Sequence, residues 1–388
     1  MSKVRYSATI IFPAGVFYIA LVAGGVLPIA EDGFVHNLVR AFVLFGVIAS
    51  VYMVGISARA INFIVSFVLA LSLLTLPSLV RSQDPSYAIA KLESLILGTA
   101  IAVLVCVGTI KKVGWPRFRE ALVYFGLLIL ILTVFYKFLF GFFDRSVRFF
   151  LNGPIVFGWM MGLMVILSSD SFFEDKKKRY VIFSALFMGG MIWSQSKGPL
   201  LSLVCVYPFI MHRHYAEGRF GKKAAVLSLV LVVAAAAIAY DALRDSSSRL
   251  GVFSSGNALE AEENYGSLGV RFEMLRDGLA LAQDNFLWGI GVGNWQSETG
   301  YIFKYPHNQH LEVLVEFGSI NFLIYVVSVG LMMALSAKNY RYVALYFMVA
   351  GSFSGDVSYL RYMMTFLLAG VIVRGSEIET GIRARHYS

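Results

Sequence analysis

The densest group of side chains able to do chemistry is the run Tyr305-Pro-His-Asn-Gln-His-Leu-Glu-Val-Leu-Val-Glu-Phe-Gly318, where a polar stretch passes into an apolar one. An imidazole titrates near neutral pH, so His307 suits removal of a proton from a hydroxyl, with Asn308 beside it as a hydrogen-bonding support. A histidine at the start of a helix also serves simply as a cap, and residue type alone leaves both readings open. His307 and His310 have the spacing of two ligands on one helical face. No further ligands accompany them, so no metal is expected.

The second group is cationic. Ser267-Leu-Gly-Val-Arg-Phe-Glu-Met-Leu-Arg-Asp277 carries Arg271 and Arg276, which a helix sets roughly 140° apart, on different faces. Arg271 is the better anion ligand, because Leu275, one turn on, lies on the face expected to pack downward. Its planar fork suits a diphosphate. Arg276 is left as a supporting group. In Ser194-Gln-Ser-Lys-Gly-Pro199, Lys197 beside a glycine offers a point charge to a phosphate. Arg145 and Arg148, in Asp144-Arg-Ser-Val-Arg-Phe-Phe-Leu-Asn-Gly-Pro154, add further positive charge. Each of these is also readable as a solvated surface cation.

The elements that must position these groups are membrane helices. Of 388 residues, 58% are hydrophobic and 15% charged, and mean hydropathy is +0.70. A soluble domain has roughly 45–50% apolar and about 25% charged residues. Apolar runs long enough to cross a bilayer, roughly 20 residues each, recur from Ala8 onward. The expected fold is all-α, a polytopic bundle of about 12 transmembrane helices with one large periplasmic loop containing an amphipathic helix. The spans fall near 8–30, 34–56, 60–80, 88–110, 121–143, 151–168, 180–195, 199–211, 224–240, 310–335, 342–354 and 358–373. The chain divides into residues 1–240 (the first nine helices), 241–306 (the loop) and 307–388 (the last three helices and a tail). Ala8 to Ala30 follows Lys3 and Arg5 but is too long for a signal peptide and lacks a small-residue cleavage site, so it reads as a retained helix.

Alternate loops hold the basic residues: Lys3, Arg5, Arg59, Lys111, Lys112, Arg117, Arg119, Lys176 to Arg179, Arg213, Arg219, Lys222, Lys223, Lys338, Arg341, Arg374, Arg383 and Arg385. By the positive-inside rule that side is cytoplasmic and carries both termini, an arrangement fitting a multi-pass membrane protein. The net charge of +9 is therefore topological, and no soluble basic module exists to bind nucleic acid. The opposite loops begin with Glu31-Asp32 and are poor in cations. Cys106 and Cys205 lie in apolar runs and read as core residues.

The loop from Asp241 to Pro306 changes character along its length. Asp245 to Tyr265 is rich in Ser, Gly, Asn and Glu. From Val270 to Gln283, Phe272, Leu275, Leu279 and Ala282 recur at helical spacing, predicting an amphipathic helix whose apolar stripe lies on the bundle or the membrane. Ile290 to Asn294 reads as a tight, glycine-permitted turn. It is no dinucleotide site, since no strand precedes it.

Charges inside spans are costly and mark function by default. Arg40, Lys91, Glu93 and Lys137, with His36 nearby, all fall in the outer parts of their helices, and the inner halves read as nearly free of charge. Snorkelling to the interface explains Arg40 and Lys137 equally well. A site acting on a lipid headgroup needs charge on one side only, so Arg40 and Lys91 are supporting candidates.

Taken in order, the Arg271 segment, Asp284-Asn-Phe-Leu-Trp-Gly-Ile-Gly-Val-Gly-Asn-Trp295, Pro306-His-Asn308 and Leu311-Glu-Val-Leu-Val-Glu-Phe-Gly318 resemble the bacterial O-antigen ligase and O-antigen polymerase superfamily of membrane glycosyltransferases. The resemblance implies that His307 is catalytic and that Arg271 engages the diphosphate of a polyprenyl-linked glycan. Where such proteins commonly carry arginine after serine, this chain has Lys197. The resemblance thus leaves the second diphosphate contact to Lys197 or to Arg145 and Arg148.

The implied reaction transfers a glycan from undecaprenyl diphosphate to an acceptor sugar hydroxyl, on a lipid A core or on another lipid-linked glycan, during lipopolysaccharide or other surface polysaccharide assembly. The donor arrives activated, so no cofactor is required, and the partners are donor, acceptor and membrane lipid. His307 would take the hydroxyl proton while Arg271 and Lys197 stabilise the departing diphosphate, in a single inverting displacement. Two alternatives remain open at this level. A flippase or transporter of lipid-linked sugars would need polar groups along a path through the bilayer. A metal-dependent lipid-linked glycosyltransferase would use Glu31-Asp32.

Overall fold

In the computed structural model the described residues are 8–23, 41, 44–50, 52, 58–142, 147, 149, 152–219 and 268–386. Among them the chain is helical, with one isolated antiparallel bridge between Phe149 and Asn152 and no strand. The helices are α1 (Ala8–Ala23), α2 (Ala58–Val80), α3 (Pro85–Val113), α4 (Trp115–Phe140), α5 (Pro154–Asp175), α6 (Arg179–Trp193), α7 (Lys197–Ala216), α8 (Leu268–Asp284), the short α9 (Trp295–Thr299), α10 (Gln309–Leu335), α11 (Lys338–Gly351) and α12 (Leu360–His386), the last preceded by a 3₁₀ turn over Val357–Tyr359. The expected segments 224–240 and 245–265, most of 34–56, and the residues Glu31, Asp32, His36, Arg40, Arg145 and Arg148 lie outside the described residues.

Six of these helices are long and apolar enough to cross a membrane: residues 60–80, 85–113, 115–140, 154–175, 309–335 and 357–376. Residues 11–22 and 179–193 form shorter apolar helices. Local sequence sets their ends. Asp84 caps α3 by accepting from Tyr87 N at 3.0 Å, with Pro85 following it. The α3–α4 join is Gly114, after which α4 opens with Trp115 and Pro116. Lys176 takes a left-handed conformation that ends α5.

The helices form one bundle. α3 and α5 are its central members, most of their residues buried, with α12 beside them. α3 packs against α1, α2 and α12; α5 packs against α4, α6 and α7; α11 bridges α7 and α12. α2 and the second half of α10, residues 319–335, are peripheral, with few buried residues. Their outward faces carry Val65, Leu69 and Leu73 on one and Leu323, Val327 and Leu331 on the other, a surface suited to lipid acyl chains. Between α2, α10 and α12 lies an apolar cavity of about 450 Å³, lined by residues that include Phe67, Leu71, Phe317, Tyr325, Leu360 and Met364.

A second, smaller core sits at one end of the bundle, where Val270, Met274 and Ala282 of α8 meet Ile290, Trp295, Leu311 and Val315. The expected stripe of α8 is corrected in part: Ala282 is buried and Leu275 packs partly buried on this core, whereas Phe272 and Leu279 are 58% and 45% exposed, and Val270, Met274 and Gly278 complete the buried face. Size contributes as well as hydrophobicity: a Cβ at Gly278 would stand 2.8 Å from Leu311 Cδ2, so the glycine lets the Leu311 side chain lie close against α8. Cys106 is buried as expected, whereas Cys205 lies on the exposed surface of α7.

Candidate active site

The segment after α8 is built to lock onto α10. Gly289, Gly291 and Gly293 all have positive φ, which confirms a glycine-dependent turn. Within α10, Gly318 has φ 81° and ψ 171°, so the helix is broken there into 309–317 and 319–335. The turn fills the break: Ile290 N donates to Val315 O at 2.9 Å, Gly291 N to Glu316 O at 3.1 Å, and Ser319 N to Phe286 O at 2.8 Å. A side chain at either glycine would collide with backbone, at 2.6 Å from Glu316 for Gly289 and 2.3 Å from Leu287 O for Gly318. The same strut reaches α2 and α3. Ser78 Oγ donates to Glu316 O at 2.8 Å, and the buried Asn294 amide donates to Arg81 O at 2.9 Å and accepts from Gln83 N at 2.8 Å. Backbone groups freed by the interruption of α10 are thus satisfied by other elements.

His307 stands just before this half-helix with a left-handed φ of 54°, a conformation costly for a residue with a Cβ and frequent at functional sites. Asn308 fixes it from behind: its side chain caps α10, accepting from His310 N and Leu311 N at 3.1 Å each. The imidazole lies edge-on between Phe303 and Tyr305, with ring centroids 4.9 and 4.6 Å away. Its Nδ1 is buried without a hydrogen-bond partner among the described residues. Burial and the nearby charge of Arg271 push the imidazole down to about 4, with Asp356 pulling weakly the other way. This corrects the expectation of near-neutral titration. At physiological pH His307 is neutral and holds its lone pair ready, in the form required of a proton acceptor.

Arg271 is half-buried on α8 and close enough to His307 to act on its protonation. Arg276 is exposed and pairs with Asp277 at 3.1 Å, facing away as its angular offset requires. Lys197, the first residue of α7, is exposed at the same end of the bundle. Its neighbour Gly198 packs on Phe353, in the loop that carries Asp356, and Gln309 Nε2 donates to Ser354 O of that loop at 3.3 Å. The structure therefore brings Arg271, His307, Asn308, Asp356 and the start of α7 to one mouth. Asp356 was not singled out by sequence reasoning, because it is adjacent to none of these residues in the chain.

Lys91 has a different role from the one its charge suggests. It is buried, ion-paired to Glu312, and donates to both oxygens of Glu316 at 2.8 and 3.0 Å. Its ammonium is committed to protein carboxylates. Lys137 is likewise buried rather than snorkelling, donating to Val147 O at 3.1 Å and lying 4.8 Å from the Phe149 ring centre. Both nitrogens of His310 are engaged, by Tyr325 Oη at 2.7 Å and Met348 O at 2.9 Å. Among the described residues no cluster of three or more His, Cys, Asp or Glu could hold a metal. Arg361, which sequence reasoning also missed, is a buried tie. Its guanidinium donates to Leu21 O, Ser94 Oγ and Ser358 O at 2.9, 3.0 and 2.9 Å, joining α1, α3 and α12.

The opposite end is not free of buried charge as the sequence led us to expect. Asp170 of α5 pairs with Arg119, with His214 at 2.9 Å and with Arg213 at 3.4 Å, and Glu174 and Glu217 complete the network with Arg219. Arg119 and Arg213 belong to the loops read as basic; helix packing then draws both inward against the end of α5.

The family described as O-antigen ligase matches residues 182–326, a stretch that includes Lys197, Arg271, His307, Glu312, Glu316 and Gly318. No curated protein matches the chain.

Proposed function

Since this chain belongs to the O-antigen ligase and O-antigen polymerase superfamily, we propose that it is a membrane glycosyltransferase that moves a glycan from a polyprenyl diphosphate, of the undecaprenyl type, to a sugar hydroxyl at the periplasmic face. The observation that carries the reading is His307. It is a neutral imidazole with an unpartnered buried nitrogen, held in a left-handed conformation, beside Arg271 at the mouth of the bundle. A base next to a guanidinium suits a reaction that removes a proton from a nucleophile while negative charge grows on a leaving diphosphate.

In this reading His307 accepts the acceptor hydroxyl proton, and the hydroxyl oxygen attacks the anomeric carbon. The bond to the diphosphate breaks, and its charge is met by Arg271 with Lys197 at the start of α7. One displacement inverts the anomeric centre. The apolar cavity between α2, α10 and α12 supports a lipid donor, since it offers acyl-like surface directly along the helix that begins at the mouth. The donor's own diphosphate supplies the driving force, so the reading asks for no metal or cofactor.

The test is transfer by purified protein in detergent from a lipid-linked glycan to an acceptor sugar, with EDTA present. A flippase would show no transfer there, since no membrane remains to be crossed, and a metal-dependent enzyme would be silenced by the chelator. Folded His307→Ala retaining full transfer would remove the assignment of His307. The glycan profile of a deletion strain then separates the acceptors: collapse of a ladder to single-repeat caps indicates a polymerase, and loss of capped lipid A with polymer retained on its carrier indicates a ligase.

A further inference from the structure

The buried charges nearest the mouth that the proposed chemistry leaves unused are Lys91, Glu312 and Glu316. All three are almost wholly buried, and Lys91 pairs with both carboxylates. Glu312 and Glu316 are one turn apart on α10, so both face α3. Like charges at that spacing weaken a helix, and burying two carboxylates against one ammonium costs more than well-packed apolar residues would. Stability therefore does not explain the arrangement. Geometry does.

Because α10 is broken at Gly318, residues 309–317 form a separate piece of about two and a half turns. Its far end is held through Val315 O and Glu316 O by the glycine turn and Ser78, and its near end by Gln309 and His310. Between those ends, among the described residues, the side-chain polar link from this piece to α3 is Lys91, which grips two successive turns and so resists rotation of the piece about its own axis. We propose that Lys91 is a positioning residue for His307: its double ion pair sets the rotation and height of the half-helix whose first turn follows His307 and Asn308. The proposal rests on the reading of His307 as the base, and its first test does not depend on activity.

The chain has six histidines, few enough to follow individually by NMR with ¹³C-labelled histidine in detergent, assigned by single substitutions. His307 lies between two aromatic rings, His310 is hydrogen-bonded on both nitrogens, and His214, buried at the other end, serves as the internal control. Lys91→Met is expected to move or broaden the His307 and His310 signals and leave His214 in place, whereas Lys91→Arg, which keeps the charge, leaves all three near wild type. If Lys91→Met does not fold, the neutral triple variant Lys91→Met/Glu312→Gln/Glu316→Gln removes the buried-charge penalty and is expected to show the same displacement. His307 and His310 signals at wild-type positions in whichever of these variants folds would overturn the proposal. In the transfer assay Lys91→Met is expected to lose about 10–100-fold in kcat with donor KM little changed, and Lys91→Arg to recover most of it. Equal kcat in wild type and Lys91→Met would also overturn it. A wild type inactive in transfer would instead sink the functional reading and leave the NMR result to decide this one.

Discussion

The two ends of the bundle both bury charge, and they do so differently. At the Asp170 end, Asp170, Glu174 and Glu217 are interleaved with Arg119, Arg213, Arg219 and His214, so each carboxylate has at least one cationic partner. At the His307 end the accounts are uneven: two carboxylates share one lysine, an imidazole nitrogen is buried without a partner, and a histidine holds a left-handed backbone. Folding alone favours the first arrangement. In the proposed reading, the buried imidazole nitrogen at the mouth meets its partner when the acceptor hydroxyl binds.

The largest effect that would sharpen this contrast is on catalysis. His307→Ala is expected to lower kcat by about 10²–10⁴-fold, the usual contribution of a positioned base, with the thermal transition shifted little. The matching substitution at the other end is expected to do the reverse. Asp170→Ala strands buried cations and should cost about 3–5 kcal/mol of stability, while the protein that remains folded turns over normally. Turnover measured per folded molecule, alongside a thermal melt, checks both. An Asp170→Ala variant that is stable but inactive would break the comparison.

Much of the His307 end was legible in the sequence, and the reason is locality. His307, Asn308 and the glycine turn are recognisable because their residue types and order define the local conformation they adopt. Arg271 could be preferred to Arg276 because helical geometry separates the two, and Arg276 is indeed exposed. What could not be read depends on partners distant in the chain. Lys91 is separated by 225 positions from Glu316, so its pairing is invisible to any local pattern. Asp170 is buried because α4 and α7 happen to bring their basic ends to it. The face of α8 was legible only in part for another reason: hydrophobic periodicity finds Leu275 and Ala282 but weighs Phe272 above Gly278, whereas close packing on Leu311 favours the smaller residue.

A smaller effect is expected from the break in α10. Gly318→Ala forces a Cβ onto Leu287 O in a backbone conformation that L-residues resist, and should cost about 1–3 kcal/mol. Since the strut positions the half-helix, transfer per folded molecule should also fall. Loss of stability with wild-type turnover would mean that the glycine turn supports the fold without positioning the site.

The subtlest consequence is in pH dependence, where the sign follows from what surrounds His307. Burial and Arg271 both disfavour the imidazolium, so the free protein keeps His307 neutral until the pH approaches about 4. The acid limb of kcat/KM, which reports the free enzyme, is therefore expected near pH 4 rather than near 6.5. In the proposed reaction a bound donor brings a diphosphate whose charge favours the imidazolium, so the acid limb of kcat should lie higher than that of kcat/KM. The same depressed value makes the histidine's contribution to stability fully present above about pH 6.5 and lost as pH falls toward 4, because the unfolded chain then binds the proton the folded one refuses. His307→Gln should flatten that part of the stability profile. Arg271→Gln removes one of the two causes and should move the kcat/KM limb upward, toward neutrality. A limb that stays put in Arg271→Gln would mean that the arginine's charge does not reach the imidazole, and the pairing of base and anion ligand at this mouth would have to be abandoned.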